Sequence, residues 1–293
     1  MSIFTQSGTH LVADVNGYYA APTSSGGRFT PLAPARLLDS RRTSKLVAGG
    51  TVDVQVTGAG GVPSSGVSSV VVNITITEPD GPGFVTGYAS GAEQPTTSSV
   101  NNDRAGQTIG NLAILPLGSG GKLTLYTYAA TNVIVDVAGW FSDGTGVGAD
   151  KGLYVPLTPT RVLDTRDAPN TKVAPGGSID LPLAGVAGVP AAGAAGVLMN
   201  LTMVDATGPG FVTAYPTGSI RQEVSSVYAD PRGETIPSLV AAQLGDGGKV
   251  AMFSNAGTHL VADLAGWYIA SSTVLGKLRS FGRTAFPEKG ALG

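Results

Sequence analysis

The sequence predicts an all-β protein made of tandem antiparallel β-sandwich repeats, of jelly-roll or immunoglobulin-like kind. Three observations carry this: one long pattern of phrases is run through twice, short apolar runs alternate with a period of two, and no helical period is sustained in a chain holding 43 Gly and 19 Pro among 293 residues.

The repeat orders everything else. "FTPLAPARLLDSR" at 29–41 matches "YVPLTPTRVLDTR" at 154–166, an offset of 125. "GVPSSGVSSVVVNIT" (61–75) matches "GVPAAGAAGVLMNLT" (188–202) and "GPGFVTGY" (81–88) matches "GPGFVTAY" (208–215), both offset by 127. The two inserted residues fall in "RRTSKLVAGG" against "RDAPNTKVAPGG", polar segments ending in Gly, where a surface loop absorbs them. The match runs on through "SSVNNDRAGQTI" and "SSVYADPRGETI" and closes with "TNVIVDVAGWF" and "THLVADLAGWY". Two full repeats result, 29–141 and 154–269. The Gly and Asp of the connecting "SDGTGVGADKGL" predict a modest interface and some relative freedom.

A third copy is represented by its end alone. "GTHLVADVNGYY" at 8–19 repeats "GTHLVADLAGWY" at 257–268, so residues 1–19 read as the C-terminal remnant of a preceding repeat and the chain as a cut from a longer array. The rival reading is circular closure, with the N-terminal piece lending a strand to the last repeat as in propellers. Residues 154–269 already carry a closing strand, which favours the cut. Residues 270–293 match nothing in the repeats and read as a locally basic, disordered tail.

Within a repeat the strands follow from alternation. In "VVVNITIT" (70–77), Val70, Val72, Ile74 and Ile76 share one face and Val71, Asn73, Thr75 and Thr77 the other, the pattern of a half-buried strand. Its counterpart places Val197, Met199, Leu201 and Met203 on the apolar face. "TVDVQV", "GFVTGY", "NLAILPL", "KLTLYTY" and "NVIVDVAGW" supply further strands between clusters of Gly, Pro, Ser and Asp, giving seven or eight per repeat. "GSGG" and "GDGG" (118–121, 245–248) are followed by strands and read as hairpin turns, not phosphate loops.

Composition excludes several classes. Charged residues are 13% of the chain and the net charge is −2, so no basic field exists to hold nucleic acid or an anionic membrane. The absence of Cys removes disulfides and thiolate chemistry. No run of 18 apolar residues argues for membrane insertion, and "MSIFTQSGTH" lacks the regions of a signal peptide.

The combination F-x-P-L-x-P-x-R-L-L-D-[ST]-R, then G-V-P with V-x-x-N-x-T, then G-F-V-T-x-Y and a closing H-L-V-x-D-V-x-G-[WY]-[FY] resembles the tandem repeats of secreted and cell-surface proteins of actinobacteria, over nearly all of residues 3–269. The resemblance implies a secreted or cell-surface location and frequent attachment to cell-wall hydrolases, glycosidases or other extracellular catalytic domains. It implies no established activity for the repeat itself.

Candidate site residues come from what the copies share. Arg36, Asp39 and Arg41, matched by Arg161, Asp164 and Arg166, form either a fork for anionic or glycan ligands or a set of structural ion pairs. Asp136 and Asp263 interrupt apolar closing strands and require partners, for which these arginines are the candidates. Asp14, whose opening motif is missing, should have no such partner and should be exposed, frayed or docked on a neighbour. His10 and His259 align with Asn132, and a catalytic base or zinc ligand would not be optional between copies. Ser98, Ser99, Ser225 and Ser226 have no elbow motif. Glu78 and Asp80 align with Asp205 and Thr207, losing one carboxylate, which favours a turn over a glycosidase pair or calcium site. Asn73 and Asn200 match a glycosylation sequon but lie mid-strand. Tyr88, Tyr128, Trp140, Tyr215 and Trp267 could stack on sugars or lid the core.

The expected function is a non-catalytic repeat module for spacing, adhesion or cell-wall and glycan binding, needing no cofactor or metal, with surface polysaccharide and other repeats of the array as partners. The alternative is a carbohydrate-active hydrolase using acidic residues. Loss of every candidate catalytic group from one copy or another favours the first.

Overall fold

A computed structural model describes residues 5–6, 8, 10–20, 27–144, 151–167, 169–230 and 233–270; the tail expected after 270 lies outside the described residues. The first repeat contains β1 (Phe29–Asp39), β2 (Thr51–Gln55), β3 (Val67–Thr77), β4 (Gly83–Ala89), β5 (Val100–Asn102), β6 (Ile109–Pro116), β7 (Lys122–Thr127) and β8 (Asn132–Ser142). They form two antiparallel sheets, ordered β1-β8-β3-β6 and β2-β7-β4-β5. The second repeat reproduces this with β9 (Tyr154–Asp164), β10 (Gly177–Pro182), β11 (Ala194–Val204), β12 (Gly210–Pro216), β13 (Val227–Ala229), β14 (Ile236–Gln243), β15 (Lys249–Ser254) and β16 (His259–Ile269), ordered β9-β16-β11-β14 and β10-β15-β12-β13.

The pairing is nested: first strand with last, second with seventh, third with sixth, fourth with fifth. A long hairpin rolled over itself in this way is a jelly roll, so strand order decides between the two sandwiches that alternation left open. Turn chemistry supports it. The "GSGG" and "GDGG" segments are tight 3-10 turns joining β6 to β7 and β14 to β15, with Gly120 at φ 69° and Gly247 at φ 64°. A Cβ at Gly118 would lie 2.0 Å from the Ser90 carbonyl oxygen, so only glycine fits.

Each sandwich has its own core. Val70, Val72, Ile74 and Ile76 are buried against Val54, Val85, Leu123 and Leu125 in the first; Val197, Met199, Leu201 and Met203 are buried with Leu181, Val212, Met252 and Trp267 in the second. The opposite face of β3 departs from the expected half-burial: Val71, Asn73, Thr75 and Thr77 are buried as well. In β11 the counterparts Leu198, Asn200, Thr202 and Val204 are only half-buried, which fits the alternation.

The difference has one cause. The second repeat lies on the outer face of the first repeat's β1-β8-β3-β6 sheet. A third apolar cluster is shared between them, with Phe29 and Val71 from the first repeat and Ala241 and Tyr268 from the second. Phe29 packs against Phe141 at 5.0 Å and Tyr268 at 4.3 Å between ring centroids, and its N–H donates to the Gly152 carbonyl at 3.1 Å. Linker composition, from which a modest interface is expected, does not reveal which faces meet; here an apolar cluster and the Ser225 hydrogen bonds join them. Residues 10–20 form no strand and are exposed, so they lend none to the last repeat. Tyr19 nevertheless stacks on Tyr154 at 4.7 Å and hydrogen-bonds the Tyr268 hydroxyl at 3.0 Å.

Tyr268 is the largest buried side chain of the shared cluster. Tyr268→Ala is expected to cost about 3–5 kcal/mol, as for other buried aromatics. Scanning calorimetry should then resolve two transitions where the intact chain gives one; a single unshifted transition would contradict the coupling.

Candidate functional site

The shared charges converge on the outer face of the β1-β8 pair. Arg36 and Asp136 stand directly opposite in the register, as do Arg161 and Asp263. Arg36 Nε donates to Asp136 Oδ1 at 2.8 Å and Nη2 to Oδ2 at 3.1 Å, a two-pronged pair, while Nη1 reaches Asp39 Oδ2 at 3.3 Å. Asp39 ends β1, caps the following 3-10 turn through the Arg41 N–H, and takes both Nε and Nη2 of Arg41 at 2.8 and 2.7 Å. The second repeat duplicates the set: Arg161 bonds Asp263 at 2.8 and 3.0 Å and Asp164 at 3.3 Å, and Arg166 clasps Asp164. The arginines of the opening motif thus divide the work. Arg36 and Arg161 tie the first strand to the last; Arg41 and Arg166 stay on the neighbouring aspartate.

Environment separates the copies. Side-chain exposure is 20% for Arg36 and 3% for Asp136, against 51% for Arg161 and 29% for Asp263. The first pair is roofed by β13 and the segment before it: the Ser225 N–H donates to Asp136 Oδ2 at 3.4 Å and the Ser225 carbonyl accepts from Asn73 Nδ2 at 2.9 Å. Tyr228 completes the roof, bonding Ser225 and Thr75. Two rim ion pairs, Arg104 with Asp230 at 2.8 Å and Arg42 with Glu223 at 3.8 Å, flank this junction. Burial pushes the Asp136 carboxyl up despite the pull of Arg36. The Arg41 guanidinium holds Asp39 below the usual carboxylate range, and Arg166 does the same to Asp164.

The remaining polar candidates are held in local structure. His259 Nδ1 lies 3.1 Å from both Thr165 Oγ1 and the Thr165 carbonyl oxygen, and Asn132, its counterpart, bonds Ser40 and Glu78. Glu78 and Asp205 sit at φ 53° and 51°, turn positions after β3 and β11. The Ser99 and Ser226 hydroxyls each accept the N–H of β4 or β12, from Gly87 and Ala214, at 3.0 Å. Asn73 is buried at the junction and Asn200 half-buried on the corresponding open face. Asp14 is exposed.

The aromatic candidates scatter. Trp267 is 1% exposed in the second core and presents no face to a sugar, which corrects its place among the stacking residues; Trp140 packs half-buried on the first core. Tyr88 and Tyr215 are half-buried on the outer faces of β4 and β12. Tyr128 is 58% exposed and lies flat on Phe84, 5.2 Å between centroids and 19° between planes, with Tyr126 at 6.1 Å from Phe84. Phe211 and Phe253, with Arg221 stacked 4.0 Å over the latter, occupy the corresponding face of the second repeat. Phe84, Tyr126, Phe211 and Phe253 were not singled out from the sequence. The signal was there, since each falls on the outward phase of its alternating strand.

Removing the partner of a buried charge is costly, so Asp136→Ala should destabilise the protein by about 3–5 kcal/mol. The exposed equivalent, Asp263→Ala, should cost below roughly 1 kcal/mol. Chemical denaturation of both variants reads the contrast, and equal losses would contradict it. The depressed Asp39 and Asp164 contribute stability that is full above the unfolded carboxylate pKa of about 3.9 and is lost as pH falls through their lower folded values. Asp164→Asn should therefore lower the denaturation midpoint at pH 7 and leave it unchanged near the acid end of the titration; a deficit that persists undiminished there would refute the linkage.

No protein-family model matches the chain, and no curated protein matches it in sequence. Among solved structures, the N-terminal CBM22-1-CBM22-2 tandem domain of Paenibacillus barcinonensis Xyn10C is similar at 7% identity and a TM-score of 0.21, over 80% of this chain and 98% of that one.

Proposed function

We propose that the chain is a non-catalytic repeat module of a secreted or cell-surface protein, a stiff spacer whose copies are joined face to edge. The observation that carries this reading is the use made of the shared polar groups. Arg36, Asp39, Arg41 and Asp136 bind one another, and Asn73 and Asp136 bind the next repeat. An acid–base pair for glycoside hydrolysis needs carboxyls free to meet the substrate, and here Asp39, Asp136, Asp164 and Asp263 are each clasped by a guanidinium. A location at the cell surface follows from the resemblance of the opening and closing motifs alone.

A second reading, polysaccharide binding, is favoured by the Phe84–Tyr128 stack on the outer face of the β2-β7-β4-β5 sheet. An exposed aromatic plane held by another ring offers apolar area at little entropic cost, which suits the apolar face of a sugar. Affinity electrophoresis in gels containing cell-wall or storage polysaccharides tests it. The expected result is retardation of the intact chain and about a tenfold weaker interaction for Tyr128→Ala, the equivalent of ~1.4 kcal/mol. Retardation that is identical in the variant would remove this face from consideration, and no retardation in any polysaccharide would leave the spacer reading alone.

A further inference from the structure

The junction between the two repeats has two halves, and each half recurs unpaired elsewhere in the chain. One half is the outer face of the sheet carrying the closing strand. In the first repeat it is covered, the Asn73 amide donating to the Ser225 carbonyl and Asp136 accepting the Ser225 N–H. In the second repeat the same registers bring Asn200 and Asp263 opposite each other, beside Arg161, on a face that stays half-open. Pro159 and Arg161 are exposed where Pro34 and Arg36 are half-buried.

The other half is the edge that roofs the face: Ser225, Ser226 and β14 in the second repeat. Its counterpart in the first repeat, Ser98, Ser99 and β6, lines a cleft of about 290 Å³ whose far wall includes Val15 and Asn16. These two residues correspond to Val137 and Ala138 of the closing strand, which meet Ser225 and Ser226 at the junction between the repeats. The Ser98–Ser99 edge of the first repeat thus faces the matched phrase 8–19 across an open cleft, where Val15 is 90% exposed.

We infer that the open outer face of the β9-β16-β11-β14 sheet docks a second copy of this chain, through the Ser98–Ser99 edge of that copy's first repeat. Asp263 then accepts the Ser98 N–H and Asn200 donates to the Ser98 carbonyl, as Asp136 and Asn73 do with Ser225. The edge of the docking copy is open to this approach, since residues 10–20 across the cleft are exposed and make no strand. The contact is heterologous, face to edge, and propagates from copy to copy. It is weaker than the junction within the chain, because the rim pairs are lost: Arg104 corresponds to Pro231 and Arg42 to Asp167, while Glu223 corresponds to Thr96. The inference rests on the spacer reading and is separable from polysaccharide binding, since Phe84 and Tyr128 are not among the residues that line the Ser98–Ser99 cleft.

Sedimentation velocity of the full chain over a wide concentration range tests it, with Thr202→Arg blocking the face and Ser98→Arg blocking the edge. The intact chain should form species larger than a monomer as concentration rises, and each variant alone should associate at least tenfold more weakly. An equimolar mixture of the two should form a dimer and nothing larger, because one intact face meets one intact edge. Pro159→Arg replaces Thr202→Arg if the latter shifts the thermal midpoint, and gel retardation through Tyr128 should be unaffected in all of them. A monomeric intact chain at millimolar concentration, association that survives both variants, or variants that each still dimerise with themselves would overturn the inference.

Discussion

The pairing of the first strand of each repeat with the last is the constraint on which the rest of the structure depends. In a nested roll the β1–β8 pair is the outermost, bridging 100 residues at Arg36 and Asp136, whereas β4 and β5 close over a short loop, so the first-to-last pairing bears the largest loop-closure cost. β1 is also poorly suited to hold itself in place. It is an edge strand, carries Pro31 and Pro34, and its register with β8 is broken between Pro31 and Ala35 and again between Arg36 and Leu38. The two-pronged Arg36–Asp136 pair lies between these breaks and fixes the register that backbone hydrogen bonds alone would leave loose. Asp39 and Arg41 then turn the chain away from the sheet at its end.

That pair imposes a polar character on the outer face around it, and the polarity has a use. A face built of Val and Leu would be stable only when covered; one built of Asn, Thr, Asp and Arg can stand in water or be buried, provided its groups find partners. Both states are seen in one molecule. Asn73 and Asp136 are buried with backbone groups of Ser225 in place of water, whereas Asn200 and Asp263 remain half-hydrated. Apolar attraction between the repeats is confined to one end of the face, where Phe29, Phe141, Tyr154 and Tyr268 gather. Tyr19, Phe141 and Tyr268 hold the same place in three matching phrases, and all three gather at this end of the face.

The other sheet of each sandwich is relieved of these duties and differs between copies accordingly. Its outer face carries Phe84, Tyr126 and Tyr128 in the first repeat and Phe211, Phe253 and Arg221 in the second. Most of these rings pack on one another and not on the other repeat, so their spread toward solvent is free to vary from copy to copy.

Legible in the sequence were the all-β class, the two full runs of one pattern with its closing phrase recurring at 8–19, and the face of β3 that enters the core. Each of these rests on local periodicity or on self-similarity, which survive without knowledge of what lies nearby. The need of Asp136 and Asp263 for partners was equally legible, because a carboxylate in an apolar strand declares its own cost. The tertiary structure alone decided the rest: the jelly-roll order, since alternation marks strands without saying which pair; the assignment of Arg36 to the closing strand and of Arg41 to Asp39, since both arginines stand in one short motif; and the burial of Trp267 away from any sugar. It alone decided that identical sequence motifs meet different fates. Arg36 and Arg161 stand in the same motif, but one is roofed by a neighbouring repeat and the other faces water, and burial by a partner is a property of position in the assembly that no residue carries in itself.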